Sequence, residues 1–381
     1  MLKEKYYAVV SPINSERHSL DWVPFTILLE RVQYLLNVYN SLGHNISEHK
    51  ISLPNKRPQQ FNDKEKAMKF LFLMDPPNTI NIKKDTTFAF MEGSVTRGHD
   101  VYYLPKGGIS INQGVVEFRV QQATPQRVPE DPIVLGDLQT LTEDDVDAIF
   151  IRPDPPFDPE YLMNTWLLDH VADKVVVINK PSGVRTVNEK VWSTQFTELT
   201  PRTLVTRHKA NFLKFLNEEK EIIVKPTDGH GGAAVFRVSA GELNTNVIFE
   251  TLTHNETVEV IVQQYLPDAT VGDKRVLLLN GDYLGAVLRV HSADDHRNNF
   301  FAGGKAQEAT ISENEMRIIE VLKPHLRRLG LYFVGIDLIG EKLVEVNVTS
   351  PTGIQEASNF ANERLDDKVI AFVEELVRSL S

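Results

Sequence analysis

The sequence predicts an α/β protein with a mostly parallel sheet in its earlier part and strand hairpins later. Three observations lead there. Short apolar runs alternate with helix-period segments between residues 69 and 179, a strand, a glycine-rich loop and a second strand follow one another around Lys225, and residues 334–348 read as two strands joined near Gly340. β-α-β alternation places helices on both faces of a parallel sheet.

The chain has 381 residues, enough for two or three domains, with 41% hydrophobic and 24% charged residues. A net charge of −11 argues against a general nucleic-acid surface. Cysteine is absent, which excludes disulfides, thiolate metal sites and a cysteine nucleophile and fits a reducing compartment. No signal-peptide pattern follows Met1 and no run reaches transmembrane length, so a cytoplasmic protein without membrane partners is expected.

Residues 6–10 read as a short strand, and 24–39 as a packed helix with apolar residues at helical spacing. Polar, turn-rich residues 54–63 read as a linker. A buried strand is expected at 69–74, a helix at 86–97 stopped by Gly98, and further strands at 101–104, 147–152 and 174–179. Ligands of parallel sheets gather beyond the strand C-termini. That rule singles out Asp75, Arg152, Asp154 and the pair Asn179-Lys180, although the proline-rich loop after Arg152 has packing as its alternative reading. The helix expected at 365–380 carries one apolar stripe and needs no reading beyond core packing.

Around Lys225 the pattern is a strand, the lysine, and a loop containing Gly229, Gly231, Gly232 and Ala233. Glycines expose backbone N–H groups, and a cation at the strand end meets phosphate oxygens. A plain hairpin with a flexible tip is the alternative. Lys209, at an expected helix start, is placed to project toward the same anion. The strand 260–267 ends in a hinge where Gln264, Tyr265 and Leu266 offer backbone groups to a base edge. Arg275, Arg289 and Arg297 add positive charge to an acidic chain, fitted to clamp phosphate or carboxylate groups.

In the strand 342–348, alternation sets Leu343, Glu345 and Asn347 on one face and Val344, Val346 and Val348 on the other. Glu345 and Asn347 then lie about 7 Å apart along the strand. Asp337 joins them only if the turn has odd length, so a three-residue loop 340–342 is expected, setting Asp337 across from Glu345. Three hard oxygen donors suit Mg²⁺ or Mn²⁺. A solvated outer face is the alternative for this Glu and Asn.

Taken in order, Lys209, Lys225-Pro-Thr-Asp-Gly-His-Gly-Gly, Gln264-Tyr-Leu-Pro, Asp273-Lys-Arg and Glu345-Val-Asn-Val-Thr-Ser-Pro-Thr-Gly353 resemble the ATP-grasp ligases. Segments 74–85, 152–158 and 179–185 narrow the resemblance to the prokaryotic glutathione synthetase family. It implies an ATP-grasp fold preceded by an N-terminal α/β substrate domain. The divisions expected are 1–68 as extension and linker, 69–204 as substrate domain, 205–265 as lid, and 266–381 as catalytic subdomain.

The resemblance also implies ATP-dependent joining of γ-glutamylcysteine and glycine through an acyl phosphate, in a homo-oligomer. By motif, Lys209, Lys225 and the glycine loop hold ATP phosphates, 264–266 meet adenine, and Asp337, Glu345 and Asn347 hold the metal. Arg275 and Arg297 stabilise the transferring phosphoryl group and the tetrahedral intermediate, Arg289 and Ser350 stand near the substrate carboxylates as the third catalytic arginine and a substrate-site residue, and Asp75, Arg152, Asp154 and Gly353 line the rest of the substrate site. No protein nucleophile is required, in keeping with the missing cysteine and Gly-x-Ser-x-Gly. Two stretches depart from the pattern: the segment up to Phe61 has no counterpart in short members, and Asn298, Asn299, Phe300 and Phe301 replace smaller residues beside Arg297. A ligase for another γ-glutamyl or dipeptide substrate, and an ATP-binding protein without turnover, are the competing readings.

Overall fold

The computed structural model describes residues 67–229, 231–290 and 305–380. The expected elements at 6–10, 24–39 and 54–63, and the loop containing Arg297, lie outside the described residues.

The first sheet contains β1 (Lys69–Met74), β2 (Asp100–Pro105), β3 (Ile109–Asn112), β4 (Val115–Pro125), β5 (Ile133–Thr142), β6 (Ala148–Ile151) and β7 (Val176–Ile178). Its centre, β2-β1-β6-β7, is parallel, as the alternation predicts. β1 is buried on both faces: Leu71 and Leu73 pack into one core, and Phe70, Phe72 and Met74 into the other. An antiparallel extension, β3-β4-β5, widens the sheet beyond that reading. The helix Thr86–Thr96 is capped by Asp85, whose Oδ1 accepts from the Phe88 N–H at 2.7 Å, and Gly98 at φ 88° ends it.

The second sheet is antiparallel, ordered β10-β9-β11-β8 from β8 (Thr203–Thr206), β9 (Glu221–Pro226), β10 (Phe236–Ser239) and β11 (Val260–Gln264). Helices Lys209–Glu219 and Thr245–Leu252 cover one face, with Phe212 stacked on Phe249 at 4.5 Å between ring centroids. The third sheet, β14-β13-β12-β15-β16, comprises β12 (Asp273–Leu279), β13 (Asp282–Val290), β14 (Lys305–Glu308), β15 (Phe333–Ile339) and β16 (Lys342–Asn347). Asn179, just past β7, straps the first sheet to the third. Its Nδ2 donates to the Phe333 and Val348 carbonyls, both at 2.8 Å, and its Oδ1 accepts from the Phe333 N–H at 2.8 Å. A residue read from sequence as a ligand candidate is thus fully spent on backbone.

The helix Leu365–Leu380 buries Leu365, Val369, Val373 and Val377 as the stripe predicts, while Leu380 is exposed. It also buries Glu374, which accepts from Arg97 Nε at 2.6 Å and lies 2.7 Å from His99 Nε2. The Met68 N–H donates to His99 Nδ1 at 3.3 Å, so Nε2 carries the hydrogen that meets Glu374. Burial alone would raise the Glu374 carboxyl, but Arg97 and His99 outweigh it and hold it down at about 2. In the unfolded chain it titrates near 4.3. This depressed group therefore contributes stability above that pH and loses it as pH falls toward about 2, by at most about 3 kcal/mol. Denaturant unfolding of Glu374→Gln is expected to show a lower midpoint at neutral pH and a flatter acid limb; an unchanged acid limb would sink the assignment.

Candidate active site

The hairpin β15–β16 holds the expected acidic pair by a different device from the one predicted. Its turn is a two-residue one: Ile339 pairs with Lys342, and Gly340 and Glu341 both have positive φ, 51° and 61°. The three-residue loop is therefore wrong. Pairing runs from Leu338↔Leu343 directly to Asp337↔Glu345, leaving Val344 as the extra residue of a β-bulge. The bulge resets the phase, so Asp337 still faces Glu345. It also overturns the predicted grouping, because Leu343 packs in the core with Val346 and Val348 instead of lying beside Glu345 and Asn347. Since Leu343 and Glu345 already sit on opposite faces, deletion of Val344 leaves regular alternation. Activity of that variant is expected within about 10-fold of the parent, and complete loss would show that the bulge has a role of its own.

Asp337 is buried and organises two arginines. Its Oδ1 accepts from Arg275 Nε at 2.5 Å, and its Oδ2 from Arg275 Nη2 at 2.9 Å and Arg289 Nη2 at 3.0 Å. Arg289 also grips Asp273 with two bonds, through Nε at 2.9 Å and through Nη2. Burial works against every charge here. Arg275 and Arg289 nevertheless hold Asp337 well below the usual carboxylate range, and Asp337 with Asp273 keeps Arg289 above its ordinary value. Asn347 Nδ2 donates to the Gly335 carbonyl at 3.2 Å and approaches Asp337 Oδ2 at 3.3 Å, which leaves its amide oxygen as the unused atom. Among the described residues no three His, Cys, Asp or Glu side chains converge. An ion here needs that amide oxygen beside Glu345 and Asp337, an all-oxygen set that fits a hard divalent cation.

Cations face this pair. Lys225, buried at the end of β9, has its Nζ 3.4 Å from Gln263 Oε1; burial pushes its ammonium below the ordinary value, against the pull of Glu345. Lys190, which the sequence reading missed, bonds Glu345 Oε1 at 2.8 Å and the Gly229 carbonyl at 2.5 Å. It ties the glycine loop to the acidic hairpin. In that loop Gly231, Gly232 and Ala234 have positive φ, the backbone form that turns successive N–H groups to one side. Glu189 accepts from the Val348 and Thr349 N–H groups at 2.8 and 3.0 Å, and burial together with the Glu345 charge raises its carboxyl. Neither Glu189 nor Lys190 stands in a recognisable spacing, and their partners at the hairpin and the loop after it lie 155 to 160 residues on.

Other candidates divide. Asp75 accepts from the Asp154 N–H at 2.7 Å and pairs with Lys106 at 2.6 Å. Arg152 is buried, donating to Thr87 Oγ1 at 3.0 Å and the Pro351 carbonyl at 3.1 Å, while Ser350 Oγ donates to its carbonyl at 3.2 Å. Arg275 Nη1 reaches the next carbonyl, Thr352, at 3.3 Å. Gly353, at φ 113°, starts the helix Ile354–Ala361. The loop 348–353 thus joins the ends of the parallel strands to the arginine cluster. Lys209 begins its helix as expected, but its ammonium pairs with Glu250 at 2.8 Å rather than with another candidate. At the hinge, the Gln264 and Tyr265 N–H groups are taken by the Arg202 and Glu221 carbonyls, and Arg237 covers the Tyr265 ring at 3.9 Å. The Leu266 N–H is the amide left over.

Comparison with known families decides what this arrangement belongs to. The model of the prokaryotic glutathione synthetase N-terminal domain matches residues 68–185, and that of the prokaryotic glutathione synthetase ATP-grasp domain matches 189–362. The chain belongs to the prokaryotic glutathione synthetase family. Glutathione synthetase from Vibrio cholerae is 37% identical over 314 residues, covering 82% of this chain and 99% of that protein. The Escherichia coli K12 protein is 39% identical over 291 residues, 76% of this chain and 92% of its own length. Among solved structures, D-cycloserine synthetase DcsG superposes with a TM-score of 0.55 at 16% identity, over 82% of this chain and all of that one, which shows the fold alone. In this synthetase family member, Lys190 and Glu189 open the ATP-grasp match, and Asp75, Arg152 and Asp154 lie in the N-terminal domain match. Among the described residues no helix is long and apolar enough to cross a membrane.

Proposed function

We infer that this protein is an ATP-dependent carboxylate–amine ligase that joins γ-glutamylcysteine to glycine, forming glutathione and releasing ADP and phosphate. The observation that carries the reading is the pairing of Asp337 with Glu345 beneath Lys225 and Lys190, with the glycine loop tied to the same carboxylate through Lys190. The donor's cysteinyl carboxylate attacks the γ-phosphorus and ADP departs. Glycine's amine then attacks the acyl carbon, phosphate departs, and the amine's extra proton is lost to solvent.

Each step needs positioning and charge neutralisation more than a covalent partner from the protein. Lys225 and the amides of 229–233 hold the phosphates, joined by Lys209 once it exchanges Glu250 for the nucleotide, and the Leu266 amide with the 264–266 backbone reads the base. Glu345, Asp337 and Asn347 would hold Mg²⁺ or Mn²⁺, which when bound neutralises phosphate charge. Arg275 and Arg289, fixed by Asp337 and Asp273, present positive charge to the transferring group, with Arg297 as a third contributor. Asp75, Arg152, Asp154, Ser350 and Gly353 shape the donor site. A homo-oligomer in the cytoplasm completes the reading.

Phosphate release from ATP by the purified chain tests it. Release that requires both γ-glutamylcysteine and glycine is expected. Release with other dipeptides in place of γ-glutamylcysteine would move the substrate assignment, and binding of ATP without release under any acceptor would overturn the ligase.

A further inference from the structure

Residues 188–190 touch three parts of the site at once. Asn188 Nδ2 donates to the Thr227 carbonyl at 3.2 Å, where the glycine loop begins, and its Oδ1 accepts from the Lys190 and Val191 N–H groups at 3.1 and 2.9 Å. Those two bonds fix the turn itself. Lys190 then grips the Gly229 carbonyl and Glu345. Glu189 faces the third part. Its main-chain carbonyl accepts the Val346 N–H at 2.8 Å, and one carboxylate oxygen, Oε1, accepts the Val348 N–H, the Thr349 N–H and the Thr349 hydroxyl at 2.8, 3.0 and 2.8 Å. A single turn thus holds the phosphate loop, the hairpin carboxylate and the start of the loop 348–353.

Burial and the Glu345 charge both work against a carboxylate at 189, and the three donors converging on Oε1 offset that cost. The loop they fix carries Ser350 and Gly353, and its carbonyls at Pro351 and Thr352 meet Arg152 and Arg275. Attack on phosphorus needs the reacting atoms about 3–3.5 Å apart, and a misplacement of about 1 Å costs about 10²-fold in rate. We propose that Glu189 is a positioning residue: by tying the Val348 and Thr349 amides to the turn that also holds the glycine loop, it sets the donor's reacting carboxylate against the transferring phosphoryl group. It acts through the loop and not by contact with either reactant. This rests on the ligase reading above and adds to it the element that places one substrate against the other. The nucleotide side does not depend on the Glu189 side chain, because Asn188 and the Glu189 carbonyl hold the turn without it.

The test sets turnover against nucleotide affinity in two variants. With Glu189→Ala, kcat for phosphate release in the presence of γ-glutamylcysteine and glycine is expected to fall about 10²-fold, while the dissociation constant for ADP stays within about twofold of the parent. Glu189→Gln keeps an oxygen that can accept the same three bonds, so its kcat is expected within about 5-fold of the parent. A loss of ADP affinity matching the loss of turnover would make Glu189 a general structural support and overturn the proposal. Near-parental turnover in Glu189→Ala, or a Glu189→Gln no better than Glu189→Ala, would overturn it too, and each of these results leaves the ligase standing. No release by the parent that needs both substrates would overturn the ligase reading and the proposal together. If Glu189→Ala does not fold, Thr349→Val is the second variant, since it removes one of the three bonds and leaves both amides. Its kcat is expected to fall about 3- to 10-fold with ADP affinity kept, and an unchanged kcat would overturn the proposal.

Discussion

Asp337→Asn is expected to lower turnover by about 10³ and to destabilise the fold by about 3–5 kcal/mol. The substitution is nearly isosteric, so its cost is electrostatic. Asp337 takes four hydrogen-bond contacts, three of them from Arg275 and Arg289, and so bridges the two guanidinium groups. A neutral amide withdraws the negative charge that Arg275 and Arg289 both grip, with both cations still buried. Denaturant unfolding and single-turnover phosphate release read the two effects separately. Adding Arg275→Met to Asp337→Asn should recover part of the stability and none of the turnover, because it removes the uncompensated cation without restoring charge at the phosphate. Near-parental turnover in Asp337→Asn would rule this aspartate out of the active site.

Lys225→Met should do the opposite to stability. The Lys225 ammonium is buried, its nearest partner is a neutral amide at 3.4 Å, and burial already opposes its charge. Replacing an under-compensated buried cation by an apolar chain of similar length relieves that cost, so the melting temperature is expected to hold or rise. Turnover should nonetheless fall about 10²–10³, with nucleotide affinity reduced, because the lost charge is the one placed for phosphate oxygens. The pair of outcomes is diagnostic. A melting temperature that drops along with activity would make Lys225 a structural residue, and one that rises with activity intact would remove it from the site.

The parts of this site that were legible in the sequence are those fixed by local pattern. The strand-lysine-glycine loop around Lys225 forms a hairpin, with Phe236 opposite Val224, and the parallel centre follows from apolar runs at regular spacing. The pairing of Asp337 with Glu345 was foreseeable from alternation, yet by the wrong route. Turn type depends on whether Glu341 accepts a positive φ, and a bulge costs so little that Val344 absorbs the mismatch. Lys190, Glu189 and the Asn179 strap were not legible, since their meaning lies in partners more than 150 residues distant. Strands β4 and β5 carry Gln and Thr at many of their exposed positions, which hides them among loops.

The loop 348–353 is held mostly by its main chain, with the Thr349 and Ser350 hydroxyls adding one bond each. Glu189 takes the Val348 and Thr349 amides, Asn179 the Val348 carbonyl, Arg152 the Pro351 carbonyl and Arg275 the Thr352 carbonyl. Four residues from four separate parts of the chain therefore measure its length and not the identity of most of its side chains. Inserting or removing a single residue there shifts several of those contacts at once and uncouples the donor site from the arginine cluster.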